Sequence, residues 1–83
     1  MHATPEALDT LDDLLAQIRQ RAWLTERKRG IFYRRSVSWL HFHGKPGDIH
    51  ADLKVGGAWT RFPVNRRAQW QRLLVALDRT MAK

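Results

Sequence analysis

Four side chains with usable chemistry fall within twelve residues: His41, His43, His50 and Asp52, arranged as His-x-His and His-x-Asp on either side of a Gly-Lys-Pro-Gly-Asp turn. Imidazole nitrogens and a carboxylate suit a divalent ion such as zinc or nickel. An imidazole held by a carboxylate, with a second imidazole near, also suits general acid–base work of the ribonuclease kind. Both readings require these residues to share one surface.

The flanking segments supply that surface. Val37 to His43 and Ile49 to Val55 alternate in character about a turn-forming stretch, the signature of a β-hairpin. Strand side chains alternate between faces, so Leu40 and Phe42 point one way and Trp39, His41 and His43 the other. Joining the apolar sets in one core pairs Leu40 with Leu53, His41 with Asp52, Phe42 with Ala51 and His43 with His50. Gly56-Gly57 suits a second tight hairpin. Val55 then faces Ala58, Lys54 faces Trp59, Asp52 faces Arg61 and Ala51 faces Phe62. The third strand runs over residues 58–64. Strand neighbours two apart lie about 6.5–7 Å apart, and directly opposed Cβ atoms about 4.5–5.5 Å apart, distances that imidazoles can bridge to a metal.

Helices complete the domain. Thr4-Pro5-Glu6 reads as a helix start, and Leu8, Leu11, Leu15, Ile18 and Ala22 recur at helical spacing over about residues 5–24. Gly30 is the expected stop. Trp70, Leu73, Leu74, Leu77 and Met81 form a second stripe over about residues 66–82, with Asn65 as its cap. Residues 25–36 give no firm element. The expected architecture is α+β, in the order α-β-β-β-α: a three-stranded antiparallel meander with two helices packed on one face, in one domain of 83 residues. This order and length are similar to those of the double-stranded-RNA-binding domain, and Asn65-Arg66-Arg67-Ala68 loosely resembles the basic start of that family's last helix. The resemblance implies topology alone, and no family is assigned on it.

Composition narrows the function. With no cysteine, disulfides and thiolate zinc sites are excluded. No apolar run approaches the roughly 20 residues that a membrane helix needs, and no secretion signal is visible, so no membrane partner and a cytoplasmic location are expected. There is no nucleophile elbow, phosphate-binding glycine loop or metalloprotease helix, and no small-molecule substrate is indicated. The expectation is a binding module rather than an enzyme. Net charge is +7, from 15 Lys and Arg against 8 Asp and Glu, which favours polyanions.

The outward set is expected to be Trp39, His41, His43, His50, Asp52, Lys54, Trp59, Arg61 and Pro63. Tryptophans are unusual on a solvated sheet face and mark binding. The leading reading is single-stranded nucleic acid, stacked on Trp39 and Trp59, with Lys54, Arg61, Arg34 and Arg35 along the phosphates and Arg66 and Arg67 offering a further anion contact. A homodimer or protein partner covering the same tryptophans is the alternative. A His-based divalent-metal site at His41, His43, His50 and Asp52 is the third reading; otherwise no cofactor is expected. His2 is expected to take no part.

Overall fold

The computed structural model describes residues 2–81. Among these, the elements are α1 (Pro5–Thr10), α2 (Asp12–Arg19), β1 (Thr25–Lys28), β2 (Ile31–Arg34), β3 (Val37–Lys45), β4 (Asp48–Val55), β5 (Ala58–Pro63) and α3 (Arg67–Met81). The class is α+β, as the pattern implies. The sheet, however, has five antiparallel strands in the order β1-β2-β3-β4-β5, and there are three helices. The three-stranded, two-helix expectation is corrected accordingly, and the order shared with the double-stranded-RNA-binding domain goes with it.

The first correction begins at Thr10. Its hydroxyl donates to the Ala7 carbonyl at 2.6 Å, the acceptor that the Leu11 N–H would use in a continuous helix. Leu11 N–H bonds Leu8 O instead, and the helix breaks there. Leu11 remains buried, so the break turns α2 without opening the core. Past Arg19 the chain makes turns, then enters a hairpin that helical spacing does not foretell. Arg29-Gly30 forms its tip, with Lys28 facing Ile31 and Glu26 facing Phe32. Gly30 is thus a hairpin residue (φ 78°) rather than a helix stop. The Glu26 carboxylate joins this hairpin to α2: it accepts from Arg19 Nε at 2.5 Å and from Gly30 N–H at 3.0 Å. Arg29 ties the tip to Asp9 at 2.7 Å and Asp12 at 3.1 Å.

The central hairpins have the register that alternation predicts. Leu40 faces Leu53, His41 Asp52, Phe42 Ala51 and His43 His50; Lys54 faces Trp59 and Asp52 faces Arg61. All three helices cover one side of the sheet, where Leu14, Leu15, Ile18, Leu73 and Leu77 pack with Phe32, Leu40, Phe42 and Leu53. At about 1.5–3 kcal/mol per fully buried large apolar side chain, this layer dominates stability. In α3 the buried position near the end is Thr80 rather than Met81, which is 49% exposed. Asn65 does not cap α3 either. Its Oδ1 accepts from Ile49 N–H at 2.7 Å, while Gln69 Oε1 accepts from Arg66 N–H.

Beyond β2, the start of the chain takes over as the neighbour of β3: Ala3 N–H bonds Phe42 O at 2.8 Å and Thr4 N–H bonds Gly44 O at 3.0 Å. Among the described residues, no helix is long and apolar enough to cross a membrane.

Candidate functional site

The sheet's other side carries no helix, and its residues follow from strand parity. β1 and β2 contribute Arg27, Ile31 and Tyr33; β3 and β4 contribute His41, His43, His50, Asp52 and Lys54; β5 contributes Trp59 and Arg61. The registers Ile31 to His41, His43 to His50 and Lys54 to Trp59 hold them in rows. Cations lie over the aromatic rings: Arg27 Cζ is 4.2 Å from the Tyr33 centroid and Lys54 Nζ 4.9 Å from that of Trp59. His41 packs on the other member of that strand pair, 4.8 Å from Trp59.

His2 joins the cluster, contrary to expectation. The backbone pairing of Ala3 with Phe42 sets its ring parallel to His43 at 6.1 Å and edge-on to His41 at 6.3 Å. His43 and His50 stack at 5.3 Å. All four histidines of the chain therefore meet on one surface. Burial pushes His41 below the ordinary histidine range, and the neighbouring His43 and His2 push it the same way. Burial also lowers His50, with the Arg61 charge adding to it.

Asp52 lies directly across from His41 but does not hold it. The carboxylate instead takes His43 Nε2 at 3.4 Å and Arg61 Nε at 3.3 Å, while His41 Nε2 contacts the Ser38 hydroxyl. The expected His41–Asp52 acid–base pair is not formed. Nor do His41, His43, His50 and Asp52 close on an ion: among the described residues, no three His, Asp or Glu side chains form a group that could hold a metal. A shallow depression of about 500 Å³ opens beside them, bordered by Thr4, His43, Lys45, Asp48, His50 and Arg61.

Trp39 is the main correction. The β2–β3 register passes from Phe32 opposite Leu40 to Tyr33 opposite Ser38, leaving Trp39 as an extra residue. Such a bulge breaks alternation and re-aims a side chain. Trp39 therefore turns to the helix side, where its Nε1 donates to Thr80 Oγ1 at 3.0 Å, and Ser38 takes the open side next to His41. Arg34 follows Trp39: its guanidinium lies between the Trp23 and Trp39 rings, at 5.6 and 5.1 Å, and donates to Thr80 O at 3.1 Å. Arg35 is exposed at the adjoining turn. Arg67 is engaged by Asp13 at 2.5 Å and lies over Trp70, away from the open face, and Arg66 stands beside it at the entry to α3. Of the expected contact residues, Lys54, Trp59 and Arg61 share the open face; Trp39, Arg34, Arg66 and Arg67 do not. Tyr33 and Arg27, which belong to it, were hidden because the hairpin that carries them lacks alternation.

Comparison with known proteins yields no match: no family model, no curated protein and no solved structure is significantly similar to this chain.

Proposed function

We propose that the open face of the sheet binds single-stranded nucleic acid, with bases on Trp59 and Tyr33 and phosphates met by Arg27, Lys54 and Arg61. The observation that carries this reading is how the charges are sorted. On the helix side, Arg19, Arg21, Arg29 and Arg67 are paired with Glu26, Asp78, Asp9, Asp12 and Asp13, which are five of the eight acids. On the open face Arg27 and Lys54 rest over Tyr33 and Trp59, the latter packed on His41 rather than on a helix. Of the three cations there, only Arg61 is acid-paired, sharing Asp52 with His43. The ring-held cations of the helix side, Arg34 and Arg67, lie instead on the indoles of Trp23, Trp39 and Trp70.

A cation held over an exposed ring gains only about 0.5–1 kcal/mol. An incoming base can take its place on the ring for about 1–3 kcal/mol of stacking, leaving the cation next to the sugar–phosphate chain. Aromatic platforms bracketed by cations suit an unpaired strand. A duplex, whose bases are already stacked, offers them little.

The test is fluorescence anisotropy with labelled DNA and RNA strands of about 12 nucleotides. Binding tighter than roughly 10⁻⁴ M is expected, weakening as salt rises from about 50 to 200 mM. Affinity indifferent to salt, or equal affinity for duplex, overturns the reading. So does a stable dimer that Trp59→Ala dissociates, since a second subunit would then occupy the face.

A further inference from the structure

On the opposite side of the sheet, a cavity of about 620 Å³ lies between the β4–β5 turn and the last turns of α3. Its volume falls within the roughly 300–1,000 Å³ range of small-ligand sites. Trp39, Val55, Phe62 and Ala76 form an apolar lining, and the cations Arg34, Lys54 and Arg79 stand at it. No acidic residue borders it. An apolar chamber with cations only at its rim selects an anion with an apolar body, because a neutral or cationic ligand leaves those charges uncompensated.

The local backbone is irregular in a way that builds this wall. Arg35 (φ 51°) and Ser36 (φ 71°) both occupy the left-handed region at the β2–β3 turn, a conformation that costs residues other than glycine. Three residues later comes the bulge that turns Trp39 to the helix side. A regular hairpin would send Trp39 to the open face and leave the chamber without its indole wall. The Trp39 ring is then fixed by Thr80, and Arg34 by the Thr80 carbonyl and the two indoles. One donor of the Arg34 fork serves that carbonyl, and a guanidinium carries five.

We infer that this cavity is a binding site for a small amphipathic monocarboxylate, its apolar part against Trp39 and Phe62 and its carboxylate between Arg34 and Arg79. The nucleic-acid reading concerns the other side of the sheet, and Lys54, which lies over Trp59, is the residue that borders both.

The experiment follows the Trp39 indole N–H resonance, assigned by its loss in Trp39→Phe, while octanoate or 4-phenylbutyrate is added to the intact chain. Saturable shifts are expected, with octylamine about tenfold weaker or worse. The stronger of the two acids tells whether the body recognised is aliphatic or aromatic. Arg79→Glu, which alters an exposed side chain, should weaken the acids by about tenfold, the factor that one lost charge contact of about 1.4 kcal/mol carries. Ala76→Trp, which fills the chamber, should abolish the shift while thermal unfolding stays cooperative. If Ala76→Trp does not fold, the Arg79→Glu and octylamine comparisons decide. Absence of a shift at millimolar acid, an equal response to octylamine, an affinity that Arg79→Glu leaves unchanged, or a shift that persists in folded Ala76→Trp overturns the inference.

Discussion

Removing the Trp59 ring tests the nucleic-acid reading most directly. Stacking on an aromatic platform contributes about 1–3 kcal/mol per base. Trp59 is 46% exposed, because His41 and Lys54 already cover part of the ring, so the lower part of that range applies. A loss of about 1–2 kcal/mol corresponds to roughly 5- to 30-fold in affinity for Trp59→Ala. The electrostatic part should be untouched. Three cations, Arg27, Lys54 and Arg61, at a slope of about −0.7 each on single strands, give about −2, hence about 20-fold weakening over a fourfold rise in salt. Arg61→Ala should flatten that to about 7-fold. Anisotropy titrations at several salt concentrations read both quantities from one data set. An unchanged affinity in Trp59→Ala, or a slope that Arg61→Ala leaves as it was, refutes the assignment of roles.

Three further outcomes follow from the geometry. His41 and His50 have folded-state affinities for protons below those of the unfolded chain, so acidification below about pH 6.5 protonates the unfolded state first and lowers stability. The urea midpoint should fall between pH 7.5 and 5.5, more steeply than in a His41→Gln, His50→Gln variant, and a rising midpoint contradicts the burial argument. A Cβ added at Gly44 (φ 109°) would sit 2.1 Å from the Asp48 carbonyl oxygen, so Gly44→Ala should cost roughly 2–4 kcal/mol by denaturant unfolding. Gly57→Ala, with φ 84° but nothing within 4 Å, should cost only about 1–2 kcal/mol, and equal losses would discredit the contact. Trp39→Phe removes the bond to Thr80 while keeping an aromatic ring, so calorimetry should register a loss of about 0.5–1.5 kcal/mol.

Period-two patterning made β3, β4 and β5 and their pairing readable, because a slip of one residue would have exposed Leu40, Phe42 and Leu53 together. It could not reveal β1. Thr-Glu-Arg-Lys has no apolar alternation, and its place depends on backbone pairing with β2 and on Glu26 reaching Arg19 and Gly30. Trp39 was misplaced for a related reason: alternation assumes an unbroken ladder, and one inserted residue reverses the parity of what precedes it. His2 has no local pattern at all. Only the pairing of Ala3 with Phe42, some forty positions along the chain, brings it to the histidine cluster.

The outermost strands limit how this molecule can meet others. β1 presents a short, charged Thr-Glu-Arg-Lys border with an irregular step between Glu26 and Lys28. At the far border, β5 opens after Gly56-Gly57, displays Arg61 and ends in Pro63, which has no N–H to offer. Neither rim is a template onto which another chain can be stitched strand by strand. Lateral polymerisation is discouraged at both ends.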